Sequence, residues 1–135
     1  MEKKFIVSAR RKTAIARAVI KQGSGIIKIN NRPIEVFDIY RKLQLYEPIR
    51  IAESIIGPIN NIDIYVNVRG GGIQGQTEAA RLAIARALVK FTGNSKLKKE
   101  FINYSRDLVD ADVRQKEMRK PRDSKARAKR QKSYR

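Results

Sequence analysis

The run from Arg114 to Arg135, RQKEMRKPRDSKARAKRQKSYR, sets the tightest limit on how this chain can fold. It holds eleven Lys/Arg against two acids, Glu117 and Asp123, and Met118 is its only large aliphatic side chain. So little apolar surface cannot offset the entropy of ordering a backbone. The run is therefore expected to be an extended basic arm, and any core must come from the residues before it. A boundary is expected near residue 105, with a globular domain over 1–105 and the arm over 106–135. With a net charge of +9 over residues 114–135, the arm calls for a polyanion to lie against;. The plainer alternative is a solvated tail that only aids solubility.

The charge is not confined to the arm. Residues 1–105 carry 19 basic and 8 acidic side chains, within a total net charge of +18 over 135 residues. A field of that sign favours nucleic acid or an anionic membrane and speeds encounter with either. The chain offers no apolar run of spanning length, and its basic end lacks the large apolar anchors of a membrane-surface helix. No membrane partner is expected. Met-Glu-Lys-Lys leads straight into an alternating segment rather than a signal peptide, so a cytoplasmic location is expected;.

The sequence has no cysteine and no histidine. That removes disulfides, thiolate metal sites and the commonest general base. The acids are scattered, most of them beside basic residues, with no paired carboxylates in a recognisable setting. The expectation is no catalytic residue, no metal, no cofactor and no small-molecule substrate.

Along the chain, Phe5–Val7 is a short β-prone stretch running into Arg10-Arg11-Lys12. From Thr13 to Lys21 the alternation of Ala14, Ala16, Ala18 and Ile20 with Ile15, Arg17 and Val19 predicts a strand, although the alanines leave a helix open. Gln22-Gly23-Ser24-Gly25 reads as a turn, and Ile26–Asn30 as the returning strand of a hairpin, bounded by Asn31–Pro33. Two short helices are expected at Ile34–Leu45 and Pro48–Ile56, with Pro48 in the first turn of the second. Asp63–Arg69 is the clearest strand. Ile62, Ile64, Val66 and Val68 face one way, and Asp63, Tyr65, Asn67 and Arg69 the wet way.

After Gly70-Gly71-Gly72 the clearest helix covers Gln76–Phe91, with Ala80, Ala83, Ile84, Ala87, Leu88 and Phe91 as its apolar stripe;. Gly93-Asn94 ends it. A more basic helix follows over Lys96–Tyr104, anchored by Leu97 and Phe101, whose Lys96, Lys98 and Lys99 suit a solvated face or phosphate contact alike. The order of elements predicts an α+β domain with helices packed on one sheet.

Gly70-Gly71-Gly72-Ile73-Gln74-Gly75 satisfies G-x-G-x-x-G between a strand and a helix, the context of a dinucleotide site;. It lacks the second parallel strand and the acid at that strand's end, since Lys96–Tyr104 is polar and helical. No Gly-Lys-Ser/Thr follows, which excludes a P-loop. Two compatible readings remain. Glycines permit a sharp turn with close packing, and the same turn points backbone N–H groups and a helix N-terminus outward, where with Arg69 they can hold an RNA phosphate.

Three segments resemble the family of small-subunit ribosomal protein nine, in its archaeal and eukaryotic form. Ser8-Ala9-Arg10-Arg11-Lys12-Thr13-Ala14-Ile15-Ala16-Arg17-Ala18 is similar to the family's opening motif. The run Gly70 to Leu88, GGGIQGQTEAARLAIARAL, fits its signature throughout, and Gln131-Lys132-Ser133-Tyr134-Arg135 resembles its archaeal and eukaryotic ending. The resemblance implies a two-layer α/β sandwich like the second domain of ribosomal protein five, with a left-handed crossover and an extended basic C-terminal tail. It implies a structural role in the small-subunit head, on 16S-type rRNA beside neighbouring head proteins. The arm would then reach the anticodon stem-loop of peptidyl-site tRNA, touching it with Lys132, Ser133, Tyr134 and Arg135.

For rRNA, the candidates in the globular part are Arg10, Arg11, Lys12 and Arg17, and around the glycine turn Arg69, Gly70, Gly71, Gly72, Gln74 and Gln76. An ordinary solvated cluster is the alternative for the first four. Along the arm the candidates are Arg114, Lys116, Arg119, Lys120 and Arg122, then Lys125, Arg127, Lys129 and Arg130. Arginine's planar fork matches a phosphate, and its charge persists at physiological pH. A DNA-binding protein would need a base-reading helix, which the alanine-rich Gln76–Phe91 stripe does not supply. A nucleotide-dependent enzyme would need saturable ATP or NAD binding, which is not expected.

Overall fold

The computed structural model describes residues 3–121, 126–127 and 133–134. Among these, strands β1 (Lys4–Arg11), β2 (Ala14–Gln22), β3 (Ile27–Ile29), β4 (Arg32–Pro33) and β5 (Ile62–Arg69) form one sheet in the order β1-β2-β5-β3-β4. Helices α1 (Ile39–Ile56), α2 (Ile73–Thr92) and α3 (Ser95–Tyr104) complete a mixed α+β fold. Residues Ala14, Ala16, Ala18 and Ile20 are all fully buried, which settles the period-two segment as a strand rather than a helix;. Small side chains on that face let α2 approach the sheet closely.

The hairpin partner differs from the sequence reading. β2 pairs antiparallel with β1, through the turn at Lys12, and with β5 on its other side. β3 pairs parallel with β5 instead of returning against β2. The Gln22–Gly25 turn is tied to the start of β5. Gly23 N–H donates to Asn61 O at 2.9 Å, and Ser24 and Ile26 N–H donate to Asp63 Oδ1 at 2.8 and 2.9 Å. With only three residues, β3 buries less than β5, whose Ile64, Val66 and Val68 all enter the core;. The longer strand therefore takes the central position.

Asp63 also departs from expectation. It lies on the wet side of the alternation, yet it is only 5% exposed. Its backbone hydrogen bonds compensate that burial and, led by the one from Ile26, hold its carboxyl below the usual carboxylate range;.

The two helices expected over residues 34–56 are one helix preceded by a 3₁₀ turn at Ile34–Val36. α1 runs straight through Pro48, although a mid-helix proline sacrifices a hydrogen bond and costs about 3 kcal/mol. The stripe Leu45, Pro48, Ile49 and Ala52 crosses the proline without a break and is buried throughout. Packing of that stripe outweighs the local preference.

α2 begins at Ile73, a turn earlier than expected, so Gly75 is helical and Gly72 is the N-cap. Its end agrees with expectation, because Gly93 takes φ 62° and bonds Val89 O. Leu97 and Phe101 of α3 are fully buried, as is Leu108 in the 3₁₀ turn Arg106–Leu108. α2 packs against one face of β1, β2 and β5, with α1 and α3 packed on α2, and the other face of the sheet carries exposed side chains.

Candidate nucleic-acid interface

Two turns that lie far apart in sequence touch at one end of the sheet. Gly70 and Gly71 take φ of 75° and 67°. A Cβ on Gly70 would stand 2.8 Å from Thr13 O, and one on Gly71 would stand 2.9 Å from Ala14 Cβ. The block thus needs glycine for both space and backbone angle. It packs against the β1–β2 turn, where Arg10 Nε donates to Lys12 O at 2.9 Å.

The same turn presents polar backbone outward. Gly70, Gly71, Gly72, Ile73 and Gln74 are exposed, and the Gly72 cap has no side-chain bond. The first N–H groups of a helix have no partner within it, and they concentrate partial positive charge. The N–H groups of such a terminus can donate to a phosphate oxygen. Gln76 braces the turn by donating from Nε2 to Gly70 O at 3.0 Å. Gln74 Nε2 donates to Gln44 Oε1 at 3.2 Å and Glu78 Oε1 at 3.3 Å.

A third segment joins this end. Arg11 points inward: its Nε donates to Glu78 Oε2 at 2.5 Å, and its Nη1 lies 2.9 Å from Asp112 Oδ2. The Nη1 contact is an ion pair by distance but is too poorly aligned to be a hydrogen bond;. Asp112 also accepts from Arg114, through the guanidinium at 2.6 Å and the backbone N–H at 3.0 Å. Those hydrogen bonds, then the Arg11 charge, hold the Asp112 carboxyl well below the usual range. Arg11 therefore pins β1, α2 and the root of the arm together. The partners Glu78 and Asp112 escaped the sequence reading, because pairing across 67 and 101 positions leaves no local signal. Arg10, Lys12, Arg114 and Gln115 line one cleft at this junction.

Arg17 and Arg69 stand on the helix-free face of the sheet, beside Asn67 and Ile15, with Arg69 at the turn end next to Gly70. Lys116, Arg119 and Lys120 are exposed in backbone without regular structure, and Arg127 Nε pairs with Glu117 Oε2 at 2.8 Å. Ser133 and Tyr134 are exposed, the tyrosine at 88%. Arg122, Lys125, Lys129, Arg130, Lys132 and Arg135 lie outside the described residues. Among the described residues no group of three or more acids gathers as metal ligands would, and no helix is long and apolar enough to cross a membrane.

The sequence model of the family described as ribosomal protein S9/S16 matches residues 9–135. The chain belongs to the ribosomal protein S9/S16 family. It is 46% identical over 129 residues to small ribosomal subunit protein uS9 of Methanococcus maripaludis strain C7, covering 93% of this chain and 94% of that one. The protein of the same name from Thermoplasma volcanium is 46% identical over 131 residues, covering 96% and 97%. S9/S16 membership, of the archaeal and eukaryotic type, makes this a small-subunit ribosomal protein of the cytoplasm. Its role is structural, in an RNA-bound particle, and not enzymatic.

Proposed function

We propose that the chain binds 16S-type rRNA in the head of the small subunit, beside neighbouring head proteins, and reaches peptidyl-site tRNA with its arm. The observation that supports this best is the convergence of the β1–β2 turn, the glycine turn and the arm root at one end. There Arg10, Lys12, Arg69 and the start of α2 offer charge and backbone donors to one stretch of phosphates. In this reading Arg11 acts from behind that surface, by holding the arm root against β1. Gln76 keeps the turn in shape, and Gln74 ties the start of α2 to Gln44 of α1.

The division of labour follows the charge. The globular domain over 1–105 seats the protein, and the arm over 106–135 is the longer-range contact. Arg114, Lys116, Arg119, Lys120, Arg122, Lys125, Arg127, Lys129 and Arg130 run along rRNA. Lys132, Ser133, Tyr134 and Arg135 meet the anticodon stem-loop. A terminal arginine forks onto phosphate, and Tyr134, exposed and the arm's only aromatic, suits stacking on a base;. A likeness to the second domain of ribosomal protein five, left-handed crossover included, belongs to the same reading. The parallel β3–β5 pair joined through α1 supplies the crossover connection it requires.

Truncation tests the arm in two steps. Removal of Ser133–Arg135 is expected to leave subunit incorporation intact and to weaken peptidyl-site tRNA binding. Removal of residues 114–135 is expected to impair incorporation itself. Normal tRNA affinity in particles carrying the short truncation would sink the tRNA assignment.

A further inference from the structure

The helix-free face of the sheet is a cationic plane. Alternation puts Lys4 and Arg10 of β1, Arg17 and Lys21 of β2, Lys28 of β3 and Arg69 of β5 on this side;. None of these six pairs with an acid among the described residues. Among the described strand residues the one carboxylate on the same side, Asp63, is buried and accepts from Ser24 and Ile26 N–H. The plane therefore attracts polyanions, and only Lys21, beside Asp63 in register, has a carboxylate facing it among the described strand residues;.

The charges stand on a rigid lattice. Arg10 and Arg69 flank Ile15, so two strand spacings of about 5 Å each separate their backbones;. Arg17 and Lys21 lie four residues apart on β2, about 13 Å along the strand. Apolar surface fills the gaps: Ile6 is 60% exposed and Ile15 46%. Tyr65 sits between Val19 and Lys28 in register, with Lys21 Nζ 5.8 Å from its ring centre. A flat surface mixing separated cations, aliphatic patches and an aromatic ring fits a nucleic-acid strand, with phosphates on the cations and sugars or bases on Ile6, Ile15 and Tyr65.

We propose that this helix-free face is a second rRNA-docking surface, in which Lys4, Lys21, Lys28 and Tyr65 join Arg10, Arg17 and Arg69. The proposal rests on the rRNA reading above and extends it from the turn end of the sheet to the whole plane. An acidic protein would satisfy the charge as well, but its carboxylates would leave the half-buried Tyr65 ring, set beside the cations, without the stacked base that RNA brings;.

Two measurements on the full chain decide it. The triple variant Lys4→Glu, Lys21→Glu, Lys28→Glu is compared with Lys96→Glu, Lys98→Glu, Lys99→Glu, which makes the same charge change on α3. With thermal unfolding as the check on folding, the sheet variant is expected to lose at least tenfold in affinity for small-subunit rRNA. Its log K against log salt slope should shrink by about 2, while the α3 variant changes much less. Equal losses in both variants, or none in the sheet variant, would overturn the docking surface and leave the rRNA reading standing. Wild-type chain that failed to prefer rRNA over an arbitrary RNA would overturn the reading beneath it.

The second measurement uses the absence of cysteine from the chain. An iron chelate tethered through Ile15→Cys in reconstituted subunits is expected to cleave rRNA at discrete positions, unlike one tethered through Ile102→Cys on α3. Silence in rRNA from position 15, with cleavage of a neighbouring protein in its place, would assign the face to that protein instead.

Discussion

Gly71 and Asp63 carry constraints that composition hides. Gly71 combines φ 67° with a neighbour, Ala14, too close for a Cβ. Gly71→Ala is therefore expected to destabilise the fold by about 2 kcal/mol, from left-handed strain plus overpacking, read as a lowered denaturant midpoint. Gly72, with no atom near its missing Cβ and an extended backbone, should tolerate the same change.

Asp63 links pH to stability. Its carboxyl is held below its ordinary value by the N–H groups of Ile26 and Ser24. A group whose pKa falls on folding stabilises the native state above its unfolded value, near about 4, and loses that contribution as pH drops through the folded value. Asp63→Asn is expected to lower Tm at pH 7 and to flatten the acid limb of the stability profile below about pH 4. An unchanged acid limb would mean that the carboxylate does not anchor the Gln22–Gly25 turn. Gly23 must stay glycine beside it, because a Cβ there would fall 2.1 Å from Asp63 Oδ2.

Among the elements, α2 and α3 were the most legible in the sequence. Their stripes of Ala80, Ala83, Ile84, Ala87 and Leu88, and of Leu97 and Phe101, all lie buried, although Thr77, Ala79, Leu82 and Ala85 of α2 are buried beyond the expected stripe. α1 was not, because a proline inside a helix looks like a start or a stop until the surface it packs on is known. What carries the chain past Pro48 is a buried stripe on both sides of it. The root of the arm depends on one side chain in the same non-local way. Arg11→Ala would leave Glu78 and Asp112 without their shared cation, and breaking a partly buried pair of this kind costs about 3 kcal/mol;. Limited proteolysis of that variant is expected to cut first near residues 109–114, where Val109 and Ala111 otherwise pack on the core. A wild-type digestion pattern would show that the ion pairs do not hold the root.

For the whole molecule, charge is the dominant property. Eleven Lys/Arg lie in residues 114–135, and the sheet face and turn end add their own. Each phosphate neutralised releases counterions, so rRNA affinity is expected to fall steeply and linearly in log–log form with salt. Removing residues 114–135 should flatten that slope by about 5 or more, against about 2 for the sheet-face variant. Equal slopes for the full and shortened chains would mean that the arm makes no phosphate contact in solution.

Local chemistry was enough for some of this protein. The apolar face of Ile64, Val66 and Val68, the capping glycine at 93 and the polyelectrolyte character of the last 22 residues depend only on side-chain size, backbone freedom and charge along the chain;. Other features required the folded chain. Strand order, the insertion of β5 between β2 and β3, the unbroken α1 and the Arg11–Glu78–Asp112 cluster join residues tens of positions apart. Short strands such as β3 pair wherever the most apolar surface is buried, and a sequence pattern states which face of a strand is apolar but not which strand lies beside it. The cationic plane is the clearest instance. Lys4, Lys21, Lys28 and Arg69 belong to four separate strands, and only their pairing in register brings them onto one surface.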